Sequence, residues 1–423
     1  AADIRGNTIE GNSEGGVVVV WTATNEDDHG AASWTLNIGG ADEAADGNVI
    51  DGNTGAGVAL QLVDTASGTY QMLGNTITRT LDDNDTSTPY TGDAVFTLAT
   101  GEQLEIEATN ELAGALIQGN RIGADASSVT TVSLSAAQTV ITVEDERSFS
   151  NLGLPATAWI GPEQIRIDSV TDNNLNVTRG QGGTTAIAHE IGQTLYSNSG
   201  GNAGRGIVLQ IEENSIVEQM LVESNVIVNS DDDGVKILRD DEGGVHLVHP
   251  FLGQRRAVSI RNNIISHNGL NAAFEQELPG GPSVRRGAGV DLHVFHGSID
   301  LQDIELVGNT IENNSGPNSR GVLLRAEADA RLMVDIENNS IRYNNSDGIE
   351  LSTRQNDASD VRQVGGIWTK NTISDNGAHG VQLIGRYGLF DLISDVATPL
   401  YIGLEGTDAI DGLDRANEIS RNG

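Results

Sequence analysis

The sequence has no cysteine, only two lysines and no long apolar run. Without cysteine, neither disulfide bonds nor thiolate-bound metals can hold the fold together. A membrane-spanning helix needs about 18 consecutive apolar residues, and since the chain has no such run we expect no membrane span. The two lysines are Lys236 and Lys370, so nearly all of the basic side chains are arginines.

The scarcity of positive charge leaves the chain strongly acidic. It has 60 Asp and Glu against 24 Lys and Arg, which gives a formal net charge of −36 at pH 7. Such a surface repels nucleic-acid phosphates and anionic lipids, so we expect neither as a partner. Large secreted bacterial proteins are often free of cysteine, and we therefore expect an extracellular or cell-surface location.

What the chain has in abundance is a short repeated phrase, Asn-x-Ile followed by a polar turn, a glycine and an aliphatic strand. Ten copies begin at Asn7, Asn48, Asn75, Asn120, Asn225, Asn263, Asn309, Asn339, Asn371 and Asn417. In the clearest copies the strand reads Gly-Ile-Glu-Leu (348–351) or Gly-Val-Gln-Leu (380–383). This alternation is the period of a strand that buries one face. Self-similarity of this kind predicts a solenoid of stacked β coils.

Stacking the copies would place each asparagine about 4.8 Å from the next, the spacing of hydrogen-bonded strands. A buried column of asparagines can pair its amides with one another and with turn backbone. The residue type is therefore explained without any chemistry on a substrate. The inward Ile, Val and Leu side chains would form one continuous core.

The Asn-x-Ile-x-x-Asn-x-x-x-Gly-Val-x-Leu phrase resembles the coil repeat of right-handed parallel β-helix proteins, the pectate-lyase-like superfamily. Pectate lyases, polygalacturonases, epimerases and many surface proteins have this architecture. The resemblance implies an all-β fold, a right-handed parallel β-helix solenoid with one coil for each of the ten copies. It says little about activity, because the repeat builds a scaffold.

The repeat is interrupted between Ile122 and the strand 206–209, where residues 126–197 have their own strand and turn pattern. We therefore predict N-terminal coils in 1–125, an inserted small all-β module in 126–197 and C-terminal coils in 198–423. The stretch from Arg179 to His189 resembles a small β module of phage tail and fibre proteins. That resemblance implies a structural or spacer role, with Arg179 and His189 in turns and packing. The alternative is a surface-binding knob.

A candidate active site can be read from the outward positions of the Gly-Val strands. Enzymes of the resembled fold build their sites on such positions in successive coils. Five of them form a polar patch that offers an acid, a base and a cationic clamp for a uronate carboxylate. They are Lys236, Asp291, His293, Arg325 and Glu350. The competing interpretation is a solvated face, because outward positions of an exposed sheet are polar by default.

Calcium is the one metal that the sequence suggests. The run Asp231, Asp232 and Asp233 could supply several oxygen ligands to one structural Ca²⁺, and so could the run 82–85. No further cofactor is indicated. The aspartate triplet also resembles the paired aspartates of polygalacturonases, but the Gly-His-Gly and Arg-Ile-Lys phrases of that family are absent from the sequence. Because the triplet occupies the turn slot that other polar residues fill in neighbouring copies, an ordinary turn is the alternative interpretation.

For function, the sequence favours a structural or adhesive β-helix over an enzyme. The repeat is cut within a coil at both ends of the chain, so we expect either self-association of open ends into a filament or a piece of a longer surface protein. A polysaccharide or another cell-surface ligand is the expected partner. The alternative is a carbohydrate-active enzyme, a lyase, hydrolase or epimerase, that acts on an acidic polysaccharide through the five-residue patch.

Overall fold

The structure is a computed structural model. It describes residues 1–23, 34–64, 66–82, 92–100, 111–212, 215–240, 258–271, 274–276, 283–285, 287–295, 300–327, 331–354, 363–385, 400–402 and 418–422. Two short helices, Glu43–Asp46 and Arg147–Ser150, lie among the strands. Within these described ranges, no helix has the length and apolar character that a bilayer crossing requires.

Three long parallel sheets make up the rod, and each coil visits them in a fixed order. Sheet 1 contains Ala2–Ile4, Trp34–Gly39, Ser67–Leu73, Glu111–Gln118, Met220–Glu223, Val258–Arg261, Asp300–Val307, Arg331–Glu337, Gln363–Thr369 and Leu400–Ile402, with Ile216–Val217 beside the fourth strand. Sheet 2 contains Thr8–Glu10, Val49–Asp51, Thr76–Thr78, Arg121–Ile122, Val226–Val228, Ile264–Ser266, Thr310–Glu312, Ser340–Arg342, Thr372–Ser374 and Glu418–Ser420. Sheet 3 contains Val17–Ala23, Val58–Asp64, Val95–Thr100, Ile207–Glu212, Val235–Asp240, Ala288–Phe295, Arg320–Glu327, Ile349–Arg354 and Val381–Gly385.

This topology confirms the parallel β-helix. One strand of each sheet makes a coil, and we number the coils 1 to 10 along the chain. For coil 10 the described residues contain the strands of sheets 1 and 2. Crossovers between parallel strands are right-handed in nearly all proteins, in agreement with the expected winding. The core is a single buried cluster that runs through the coils, built from the inward Ile, Val and Leu of all three sheets. The isoleucine of each Asn-x-Ile phrase stacks on that of the next coil, for example Ile50 on Ile77.

The predicted asparagine column is present as a continuous ladder. From Asn7 to Asn371 each Asn Nδ2 donates to the Oδ1 of the asparagine one coil on, at 2.9–3.1 Å. The same Oδ1 also accepts from the backbone N–H of the preceding coil's asparagine, as in Asn48 and Asn75. The buried amides are thus satisfied by one another, which is what burial of polar groups requires.

A second ladder, which we did not predict, runs along the turn between sheets 2 and 3. In the C-terminal coils it joins neighbouring asparagines at 2.8–3.0 Å, in the order Asn314, Asn344, Asn376 and Asn422. Its sequence signal was the second asparagine of the repeat phrase. Two ladders on either side of sheet 2 fix the corners of each coil, and therefore the register of the strands that follow.

The 126–197 segment leaves the rod between sheets 2 and 3 of coil 4 and forms an all-β module, as expected. Its antiparallel sheet has the order Ser127–Val129, Thr194–Ser197, Ala156–Ile160, Glu163–Thr171, Asn174–Thr178 and Val140–Thr142. A separate hydrophobic core lies beneath it. Isolated antiparallel bridges also join Thr130 to Val143 and Leu134 to His189. The division into 1–125, 126–197 and 198–423 stays a prediction. Deletion of 126–197 would test it, because the rod should then remain folded.

Inside the module, Arg179 and His189 both bind the buried Glu163. Arg179 Nε lies 2.7 Å from Glu163 Oε1, and His189 Nε2 lies 2.9 Å from Oε2. Burial alone would raise the pKa of Glu163, but the hydrogen bonds from Arg179 and His189 outweigh it and lower the pKa to about 2. This network ties the 179–189 loop to the module's sheet, in keeping with the packing role that the resemblance implies.

The module also packs against the outside of sheet 2. The Tyr196 hydroxyl lies 2.9 Å from Ser266 Oγ and 2.8 Å from His267 Nδ1. The rings of Trp159 and His267 are 4.0 Å apart between centroids. Burial lowers the pKa of His267 to about 3, so this imidazole is neutral at physiological pH. The contact fixes the module to coil 6, two coils beyond the strand that follows it in the chain.

Candidate functional site

The five predicted site residues all lie on sheet 3, in coils 5 to 8. The strand register pairs Lys236 with Asp291, His293 with Arg325, and Leu323 with Glu350. The alternate residues of these strands, such as Val290 and Leu292, belong to the core. The register therefore brings the predicted side chains to one face of neighbouring strands, opposite the core.

The structure disagrees with the competing interpretation, that this face is solvated. Asp291 and Glu350 are at most 1% exposed, Arg325 is 3% exposed and Lys236 is 8% exposed. His293 is half-buried. A polar residue on the outward face of a strand is exposed to water only if nothing packs over it. The alternation of polar and apolar residues along one strand does not show whether anything does. Burial here is a tertiary property.

The buried charges are arranged in pairs of opposite sign. Arg325 Nε lies 3.2 Å from Asp291 Oδ1, and its Nη2 contacts Oδ2 of the same carboxylate. Lys236 Nζ lies 3.2 Å from Asp291 Oδ2 and 3.3 Å from Asp233 Oδ2. We call Asp233, Lys236, Asp291 and Arg325 the charge cluster. Its two carboxylates and two cations sum to no net charge when all are ionised, in a chain whose formal charge is −36.

The pKa values of the two carboxylates in the charge cluster are shifted in opposite directions. Burial would raise the pKa of Asp291, but the charges of Arg325 and Lys236 hold it well below its usual range. Burial and the charge of Asp232 instead raise the pKa of Asp233 well above its usual range. A pair of neighbouring carboxyl groups with separated pKa values is the arrangement that general acid and base chemistry uses.

Glu350 belongs to a neighbouring ion pair. Arg320 Nε donates to Glu350 Oε2 at 2.5 Å, and both side chains are buried. The sequence reasoning missed Arg320, which is the first residue of its sheet 3 strand and was not among the outward positions read from the Gly-Val phrase. Its signal was its place directly before the glycine of a repeat, where Asp233 and Asp347 stand in other coils.

The carboxylates of Asp231 and Asp233 in the aspartate triplet contact different partners, and the predicted calcium site stays a prediction. Asp231 Oδ1 accepts from Asn271 Nδ2 at 3.0 Å, whereas the Asp233 carboxylate contacts Lys236. In the part of the chain that the structure describes, no group of three or more His, Asp or Glu side chains is placed to hold a metal ion. In the second predicted run, Asp83, Asn84 and Asp85 lie outside the described residues.

Comparison with known proteins gives structural neighbours and no family. No family model matches the chain, and no curated protein is similar to it. One similar solved structure is the A-module of the mannuronan C-5 epimerase AlgE4 of Azotobacter vinelandii, with 15% identity over 84% of this chain and 81% of that chain and a TM-score of 0.28.

Two phage tailspikes are also similar. Gp54 of Acinetobacter baumannii bacteriophage AP22, solved in complex with a capsular saccharide, has 10% identity over 78% of this chain and a TM-score of 0.22. Gp61 of Pseudomonas phage phi297 has 11% identity over 85% of this chain and a TM-score of 0.15. The matches span 59% and 58% of the tailspike chains. With TM-scores this low, the neighbours decide nothing about the site, which stands on its own geometry.

Proposed function

We propose that this chain is a carbohydrate-active β-helix that acts on an acidic polysaccharide outside the cell, at the charge cluster and the adjoining His293. The observation that carries the proposal is the burial of balanced charges on the outward face of sheet 3. Replacing a buried ion network by apolar residues is often neutral or stabilising, so stability alone is a weak reason to keep one. Clustered groups with perturbed pKa values are candidates for a functional site.

The chemistry that these groups offer is proton transfer next to a carboxylate. Lys236 and Arg325 would neutralise the carboxylate of a uronate residue, which acidifies the neighbouring C–H bond. His293, the least buried of the five predicted residues, would take the proton, with Asp291 holding the cations in place. Expulsion of the adjoining glycosidic oxygen, which takes up a proton from solvent as a carbon–carbon double bond forms, would make the enzyme a lyase. Addition of a solvent proton to the opposite face of the same carbon would make it an epimerase.

The test is incubation of the protein with alginate, pectate and related uronates in D₂O. Ultraviolet absorbance detects the unsaturated product of a lyase, and NMR detects deuterium at the uronate carbon. We expect one of the two signals in the wild type and its loss in His293→Gln and Arg325→Ala. Arg342→Ala is the matched control, because Arg342 forms an ion pair with Glu312 at 2.8 Å on sheet 2. Full activity in His293→Gln would contradict the proposal.

A structural or adhesive rod at the cell surface is the second candidate function. The observation in its favour is the same burial, because charges that are paired and closed to water also suit a scaffold. Under this alternative the protein binds a polysaccharide without changing it, or associates end to end. Sedimentation velocity over a range of concentrations tests the association, and calorimetry with intact and depolymerised uronates tests the binding.

A further inference from the structure

From coil 2 onward, the residue two positions before the first Val or Ile of each sheet 3 strand stacks on its counterpart in the next coil. Backbone hydrogen bonds of 2.8–3.0 Å connect the successive turns, as from Gly206 N to Asp233 O and from Gly234 N to Ala288 O. We call these residues the turn column. Its members are Ala56, Asp93, Arg205, Asp233, Ala288, Arg320, Asp347 and His379.

The three aspartates of the turn column make the same backbone contact. Each accepts a hydrogen bond through Oδ1 from the backbone N–H of the next column residue. The distances are 2.8 Å from Arg205 to Asp93, 2.7 Å from Ala288 to Asp233, and 2.9 Å from His379 to Asp347. This contact satisfies a backbone donor at the start of a strand, so it is a structural role that all three positions share.

Two of the aspartates also bind the side chain of the next column residue. Asp93 Oδ2 lies 2.7 Å from Arg205 Nη2, and Asp347 Oδ1 lies 2.8 Å from His379 Nδ1. Asp233 cannot form such an ion pair with the next column residue, because that residue is Ala288. Its Oδ2 contacts Lys236 Nζ instead, a side chain from its own strand. Asp233 is therefore the aspartate of the turn column whose second carboxylate oxygen contacts Lys236.

We infer that Asp233 is a positioning residue of the site, which holds the Lys236 ammonium beside Asp291. A lysine side chain has four rotatable bonds, and fixing its end in one place requires acceptors on more than one side. Asp233 and Asp291 both contact Nζ, at 3.3 and 3.2 Å. That Asp233 serves a functional site rests on the proposed function, whereas the contact between Asp233 and Lys236 does not depend on it.

The two lysines of the chain make a direct test possible. Lys236 is nearly buried, and Lys370, which lies 2.9 Å from Glu337, is 36% exposed and serves as an internal reference. The folded protein is treated briefly with an amine-acetylating reagent, and mass spectrometry gives the ratio of acetylation at Lys236 to that at Lys370. The variants are Asp233→Asn and the matched control Asp347→Asn, which alters the same backbone contact three coils away.

We expect the Lys236 to Lys370 ratio to rise about tenfold in Asp233→Asn, since a hydrogen bond to a charged group is lost. In Asp347→Asn the ratio should stay at the wild-type value. An unchanged ratio in Asp233→Asn would overturn the inference, and so would an equal rise in both variants, because the shared backbone contact would then explain it.

If Asp233→Asn does not fold, a second variant that combines Asp233→Asn with Lys236→Met identifies the cause. If the loss of folding comes from a lysine that has lost its anchor, removing the lysine restores the fold. If the double variant is also unfolded, Asp233 acts through the backbone contact, and the inference is wrong.

The labelling result does not depend on activity, so the two proposals can fail separately. If Lys236 responds as expected but no uronate is converted by the wild type, the positioning role stands and the proposed function fails. If a uronate is converted and Asp233→Asn leaves both labelling and kcat unchanged, the proposed function stands and the inference fails.

Discussion

The outward face of sheet 3 is buried in two regions of the rod by opposite chemistry. In coils 2 to 4 one register column contains Ala59, Phe96 and Val208, all fully buried. The same column continues in coils 5 and 6 with Lys236 and Asp291, at 8% and 1% exposure. The backbone, register and degree of burial are alike, and only the side chains differ.

The difference shows that burial on this face does not require charge. Apolar side chains fill the N-terminal region and form a small cluster of their own. The ionic region has to compensate the cost of desolvating each charge through close pairs. The same chain builds the first kind of face in one region and the second kind in its central coils. This contrast underlies the proposed function.

The largest effect should come from breaking the ionic region. Asp291→Ala leaves the buried Arg325 and Lys236 without their shared carboxylate, and we expect a loss of about 3–5 kcal/mol in the free energy of unfolding. Val208→Ala, in the same column of the apolar region, should cost about 1–2 kcal/mol for the lost methyl groups. Denaturant titration of both variants measures the two losses. Equal losses would remove the contrast between the regions.

Lowering the pH should destabilise the ionic parts of the molecule more than the apolar region. In the module, the pKa of Glu163 falls from 4.5 to about 2 on folding, so its contribution is full above pH 4.5 and is lost as the pH falls toward 2. We expect the module to unfold in this window in the wild type. Near-ultraviolet circular dichroism of Trp159 and Tyr196 follows it.

The control for the acid experiment is Glu163→Gln, which should be less stable at neutral pH and should lose the steep dependence between pH 4.5 and 2. Val208→Ala, which changes no titrating group, should keep the wild-type dependence. A Glu163→Gln variant with an unchanged acid transition would show that another group controls it.

A smaller effect is expected at the contact between the module and the rod. His267 has its pKa lowered from 6.5 to about 3, so its neutral form is favoured by folding. The stabilisation is complete above pH 6.5 and declines as the pH falls toward 3, because the unfolded chain takes up the proton first. Melting temperatures from pH 8 to 5 should fall more in the wild type than in His267→Gln. Parallel curves would contradict this assignment.

The smallest effect is expected from metal removal. The carboxylates of Asp231 and Asp233 contact different partners, so we expect a chelator to leave the melting temperature unchanged. A fall in melting temperature that added Ca²⁺ reverses would restore the calcium site predicted from the aspartate triplet. The measurement needs calorimetry with and without chelator at constant ionic strength, because the acidic surface responds to salt.

Much of the fold could be predicted from periodicity. The Asn-x-Ile phrase located the strands of sheet 2 and the first asparagine ladder, and the Gly-Val strands located sheet 3. The register of Lys236 beside Asp291 followed from aligning repeats. What could not be predicted was the pairing of Asp233 with Lys236, which depends on the absence of a charge at Ala288 in the next coil, 55 residues along the chain.

The sequence by itself determined that this chain is a stack of β coils with an inserted module, because a repeated alternation of apolar and polar residues has one stable solution when copies lie side by side. It also determined which residues share a column. Only the tertiary structure decided that the outward column is closed to water and that its charges meet in pairs. Burial of an outward face depends on what packs over it, and the sequence of the strand itself does not show what packs there.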